Sequence, residues 1–158
     1  KNIISRLPGL EIQGGKGTMT EAGCRVPLLV RWPGTITPGE SEDFFCLVDV
    51  LPTLASITGI ELSAEVDGLD LSHYFLGKEG QDREYIFMSF KKYFYVRDKR
   101  FRLDEAGNLY DIPVTSDIER YSENIVKSSE YQSERAQLQT LLDEFMSQPA
   151  LYSGQVNR

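Results

Sequence analysis

Tyr93-Phe94-Tyr95-Val96-Arg97-Asp98-Lys99-Arg100-Phe101-Arg102-Leu103 reads as two short strands around a tight reversal. Aromatic and β-branched residues favour extended backbone, and the polar Asp98-Lys99 pair marks the turn. Working outward, residues 85–90 form a similar run before Lys91-Lys92, and residues 109–112 form another after Ala106-Gly107-Asn108. Four such runs predict a small antiparallel four-stranded meander. Further on, Leu138, Leu141, Leu142, Phe145 and Met146 recur at helical spacing before Pro149, and Ser129 with Gln132 has the pattern of a capping box. A C-terminal helix packed on the meander is the expectation.

The preceding half has a different texture. Residues 1–25 are glycine-rich and weakly periodic, ending in Gly14-Gly15-Lys16-Gly17-Thr18 and Gly23, which is loop chemistry. Residues 27–32, PLLVRW, are a short and mostly apolar run, as for a strand covered on both faces. Asp49 stands where it could cap a helix over 49–58, with Val50, Leu51, Leu54 and Ile57 apolar and Gly59 as the stop. Leu69, Leu71, Tyr74, Phe75 and Leu76 then suggest a short helix or irregular packed segment closed by Gly77. The fold class is therefore α/β with an α+β tail: loop, strand and helix over residues 1–80, then sheet and helix over 81–158. The polar stretch 78–82 is the boundary.

Bulk properties narrow the function. A chain of 158 residues buries roughly 70% of its unfolded surface in one ordinary core, and 41% hydrophobic with 26% charged residues is a globular composition. The net charge of −7 argues against a nucleic-acid partner, which needs clustered cations. The local cluster Lys91, Lys92, Arg97, Lys99, Arg100 and Arg102 could grip an anionic sugar or a nucleic acid, but a solvated strand face is the simpler reading. Cys24 and Cys46 match neither a disulfide framework nor a zinc pattern. No run approaches the ~20 apolar residues of a membrane span, and no signal peptide is visible.

The residues from Gly15 to Pro27, GKGTMTEAGCRVP, resemble the KGTxxEGGxRVP motif of type I sulfatases in the alkaline phosphatase superfamily. The order Arg31-Trp32-Pro33-Gly34, Val48-Asp49-Val50-Leu51-Pro52-Thr53-Leu54, Asp67-Gly68-Leu69-Asp70-Leu71, residues 96–103, and Leu109-Tyr110-Asp111 is similar to that family as well. The resemblance implies that residues 1–80 are the end of a sulfatase α/β core and 81–158 its C-terminal subdomain. It also implies that Lys16 binds the sulfate ester and acts in catalysis. A preorganised cation there stabilises the charge that spreads over the sulfuryl oxygens in transfer. Glu21 and Arg25 read instead as structural pairing or capping residues, and His73 as a packing or surface residue.

The family's formylglycine arises from the Cys or Ser of a C/S-x-P-x-R motif, which this sequence lacks; Cys24-Arg25-Val26-Pro27 has its proline one place late. Asp67, Asp70, Asp98, Asp104 and Asp111 are scattered rather than clustered as calcium ligands. No metal or cofactor is assigned to this chain; Ca²⁺ and the formylglycine are expected of missing N-terminal segments of the parent. The resemblance thus implies a periplasmic or secreted parent acting on a sulfated small molecule or glycan, with this portion inactive alone. A phosphate or phosphonate ester hydrolase of the same superfamily, or a non-catalytic binding domain, is the alternative. Without the sulfatase core beside it, the run 27–32 is expected to drive self-association through strand edges.

Overall fold

The structure is a computed structural model and describes residues 4–7, 10–112, 124–126 and 129–147. Two compact units divide it: Val26–Ile86, and Lys1–Arg25 with Phe87–Arg158.

In the second of these, Ile4–Leu7 (β1) and Leu10–Gln13 (β2) form an antiparallel hairpin with Ile4 opposite Gln13. The glycine-based loop expectation missed it, because ISRL and LEIQ on either side of Pro8-Gly9 are too short for their alternation to stand out. A single helical turn, Glu21–Cys24 (α1), follows. The meander is present as Ile86–Phe90 (β3), Tyr93–Arg97 (β4), Phe101–Asp104 (β5) and Leu109–Asp111 (β6), in sequence order, and the two residues Asn124–Ile125 (β7) extend it beyond β6. Gln132–Ser147 (α4) lies against β4 and β5.

Register assigns the two faces of this sheet. Val96 stands opposite Leu103, and Leu103 opposite Leu109, so these three share one face. All three are fully buried, as are Leu138 and Leu142 on α4. Each such leucine contributes about 1.5–3 kcal/mol of apolar burial. Phe145 stacks on Phe87 with ring centroids 4.6 Å apart, whereas Met146 is 48% exposed and leaves the predicted apolar face. The helix also starts later than the capping pattern implied: Gln132 is its first residue, and Tyr131 before it has φ 63°. Pro149 lies outside the described residues.

The alternate positions of the same strands, Tyr95, Arg97, Arg102, Asp104 and Tyr110, form the other face. Arg97 and Arg102 are buried there, against the solvated reading of the basic cluster, whereas Lys91, Lys92, Lys99 and Arg100 are exposed as that reading expected. The ring and carboxylate partners of Arg97 and Arg102, described below, compensate their guanidinium charges.

The unit Val26–Ile86 contains a 3-10 turn, Leu47–Asp49, running into Val50–Thr58 (α2), and a short helix, His73–Leu76 (α3). Gly59 and Gly77 end the two helices in left-handed conformations. Asp49 is not the side-chain cap of α2 that the sequence suggested. Its carboxylate is fully buried and accepts the Cys46 N–H at 2.7 Å and the Leu69 N–H at 2.8 Å, while pairing with the Arg83 guanidinium. Burial alone would lower the Arg83 pKa, but the hydrogen bond and charge of Asp49 carry it above its ordinary value. Burial pushes the Cys46 thiol up, with Arg83 opposing.

Residues 27–32 form no strand, a correction to the sequence reading. Leu28 is 53% and Leu29 88% exposed. A strand is made by its neighbours' hydrogen bonds, and none of the described strands pairs here; Pro27 and Pro33 at the ends also lack N–H donors.

Candidate functional site: a tethered lysine loop

The loop of residues 14–25 folds on itself through short-range bonds. Thr18 donates its N–H and its Oγ1–H to the Gly15 carbonyl, at 2.9 and 2.6 Å, and Thr18 Oγ1 lies 2.7 Å from Thr20 Oγ1. Gly23 N–H donates to Thr20 O at 2.9 Å, and Cys24 Sγ–H reaches Thr18 O at 3.6 Å. Gly23 is required for this closure: a Cβ there would stand 2.3 Å from Thr18 O. Gly17 reverses the chain at φ +80°, a conformation that L side chains rarely adopt. Lys16 sits at this turn and is exposed.

Two arginines on the sheet hold the loop. Arg97 pairs with the buried Glu21 in the first turn of α1, and its other nitrogens donate to Asp98 O at 3.0 Å and Lys99 O at 3.3 Å. Arg102 donates to Met19 O at 2.7 Å, and its guanidinium lies over the Tyr110 ring at 4.2 Å and the Tyr95 ring at 5.2 Å. Buried charge-assisted bonds of this kind fix geometry strongly. The Tyr95 phenol is pushed well above its ordinary pKa by burial, then by Cys24 and Glu21, so it stays neutral. The structural reading of Glu21 holds, with Arg97 as partner. That partner was not found from the sequence; the available signal is the period-two alternation, which puts Arg97 and Arg102 on the sheet face away from Val96 and Leu103.

A pocket of about 400 Å³ opens between residues 17–20 and the sheet, with Phe90, Lys91, Tyr93, Tyr95, Arg102 and Tyr110 in its walls. The other sequence candidates are engaged by their own neighbours, including Asp104, which also lines this pocket. Asp104 serves its own turn, accepting Ala106 N–H, Asn108 N–H and the Tyr110 hydroxyl at 2.8–3.0 Å. Asp111 pairs with Arg100 at 3.0 Å, and His73 Nε2 lies 3.1 Å from Asp82. Both cysteines are free thiols. Among the described residues no group of three or more His, Cys, Asp or Glu side chains could hold a metal ion. No described helix is long and apolar enough to cross a membrane.

A family model described as N-sulphoglucosamine sulphohydrolase, C-terminal, matches residues 15–148. Arylsulfatase A from Homo sapiens is 43% identical over 74 residues, 46% of this chain and 15% of that enzyme. Steryl-sulfatase from Rattus norvegicus is 44% identical over 79 residues, 48% of this chain and 14% of the relative. N-acetylgalactosamine-6-O-sulfatase from Bacteroides thetaiotaomicron is 36% identical over 76 residues, 47% of this chain and 15% of the relative. The matched segments thus span about one seventh of these curated relatives. No solved structure matches significantly. The family match and these relatives make the chain a C-terminal portion of a sulfatase. The chain belongs to the N-sulphoglucosamine sulphohydrolase C-terminal family.

Proposed function

We propose that this chain supplies a sulfate-binding cation, Lys16, to an enzyme that hydrolyses sulfate esters of a sulfated small molecule or glycan. The observation that carries the reading is the mounting of Lys16. It is exposed at a turn whose following segment is fastened to one sheet face, at Met19 by Arg102 and at Glu21 by Arg97. A long flexible stem on a fixed base lets the ammonium group follow the sulfuryl oxygens as charge builds on them, while the loop itself has no reorganisation to undergo. The names of the relatives, which are all sulfatases, favour a sulfur rather than a phosphorus ester.

The formylglycine and calcium of such an enzyme belong, in this proposal, to residues outside these 158, so the isolated chain is inactive. Among the described residues no cluster of carboxylates fits a metal, and the buried or loop-side ones are engaged, Asp49 and Asp104 by backbone N–H groups and Asp49, Glu21 and Asp111 by arginines. No step is routed through an ion here. The test is Lys16→Ala in the full-length protein, assayed on an aryl sulfate. A fall in kcat of about 10²–10³ is expected for losing one charge-stabilising donor. Unchanged kinetics would remove Lys16 from the site.

A further inference from the structure

The five-stranded sheet ends on one side in an open edge. Among the described strands only β4 pairs with β3, so the outer side of β3 has no neighbouring strand. Natural edges carry lysines, prolines or bulges that prevent pairing between molecules, or are cut short. The opposite edge follows that practice, because β7 is two residues long. β3 does not: Ile86-Phe87-Met88-Ser89-Phe90 has five residues and no charge, proline or glycine. Phe90 on this strand is 40% exposed, and Met146 is exposed on the turn of α4 whose Phe145 stacks on Phe87. Apolar surface is therefore open along the edge strand and at the helix end beside it.

We infer that β3 is an interface between two copies of this chain, paired antiparallel about a two-fold axis at Met88. Symmetry and charge together select that register. Two identical antiparallel strands pair about an axis perpendicular to the sheet, which keeps each side chain on its own face, so the allowed registers differ in steps of two. With the axis at Met88, Ile86 stands opposite the partner's Phe90, Phe87 opposite the partner's Ser89, and Met88 opposite itself. At both ends of this pairing Glu84 comes opposite the partner's Lys92 and Tyr85 opposite the partner's Lys91. Opposite charges that face each other across strands are favourable, and like charges are not.

The neighbouring registers lose this match. Moving the axis to Phe87 puts Arg83 opposite the partner's Lys91, which cancels the pairing of Asp82 with the partner's Lys92. Moving it to Ser89 sets Lys91 and Lys92 against the partner's Phe87 and Ile86 and leaves Glu84 without a cation. In the Met88 register the added strand makes about four to six main-chain hydrogen bonds, and the exposed Phe90 ring gains an apolar neighbour in the partner's Ile86. The axis also keeps the two Lys16 loops on one face of the joined sheet, because each is fastened to the Arg97 and Arg102 face of its own copy.

Sedimentation of the full-length protein over a range of concentrations is expected to show a dimer. Lys92→Glu sets like charges opposite each other at both ends and should weaken the dimer about tenfold. Adding Glu84→Lys to Lys92→Glu should restore it, and that rescue separates a lost pairing from a loss of folding. Oxidation reads the register directly. Met88→Cys, opposite itself, is close enough to be bridged and should give a disulfide-linked dimer above the wild-type background, whereas Phe90→Cys, opposite Ile86, should not. A protein that is monomeric at every concentration overturns the proposal. So does a dimer that Lys92→Glu leaves unchanged, that the second exchange fails to restore, or that Phe90→Cys links as readily as Met88→Cys.

Discussion

The unit of residues 26–86 and the unit of residues 1–25 with 87–158 each bury one carboxylate against one arginine, to different ends. In the larger unit, Glu21–Arg97 fastens a loop to a sheet that already has an apolar layer of Val96, Leu103, Leu109, Leu138 and Leu142. In the smaller, Asp49 gathers Cys46, Leu69 and Arg83 around itself while Leu29, Leu51 and Leu54 stay more than half exposed. One unit is ordered by apolar burial with a polar fastening added. The other relies on a polar hub with few buried apolar side chains, chiefly Ala55 and Leu71.

The sharpest way to break this contrast is Asp49→Ala. It removes the acceptor for two backbone N–H groups and leaves Arg83, only 11% exposed, without its counter-charge. A loss of about 3–5 kcal/mol is expected, as for breaking a buried pair. Denaturant unfolding should show it as an early transition confined to residues 26–86 in hydrogen exchange. A loss under about 1 kcal/mol would place the pair in the class of surface salt bridges.

Leucine truncations separate the units from the apolar side. Leu138→Ala, at a 1% exposed position facing the sheet, should cost about 2–5 kcal/mol in unfolding free energy. Leu29→Ala, at 88% exposure, should change it by no more than about 0.5 kcal/mol. Comparable losses at the two positions would mean that residues 27–32 are covered in solution.

What the sequence disclosed follows the same division. Period-two alternation in Tyr93–Arg97 marked a strand because its two faces differ in chemistry, and Leu138 and Leu142 marked α4 for the corresponding reason. The motif residues of the loop located Lys16, but not how the loop is held. The fastening joins Glu21 to Arg97 and Met19 to Arg102 across more than 70 positions, and no local pattern encodes such a pairing. Asp49 looked like a helix cap because capping is a local property, whereas its partner Arg83 is 34 residues away. PLLVRW read as a strand because apolar composition reports a preference for burial, and pairing needs a neighbour that composition cannot supply.

The smallest expected effect probes the polar hub's surroundings by pH. Burial, then the charges of Asp82 and Asp43, push the Tyr74 phenol up to about 12, with a backbone bond at Arg83 opposing. In the unfolded chain the phenol titrates near ~10. Below that value both states hold the proton, and the contribution to stability is complete. Between the two values the unfolded state releases the proton and the folded state keeps it, so stability falls as pH rises and levels off only above the folded value. Tyr74→Phe removes one phenol's share of this slope, leaving that of Tyr95 and Tyr110, which burial also raises, and Asp82→Asn moves the upper limit of the Tyr74 share down. Unfolding midpoints of the three proteins across that window test both statements. A slope in Tyr74→Phe equal to that of wild type would show that the Tyr74 phenol has no part in the alkaline sensitivity.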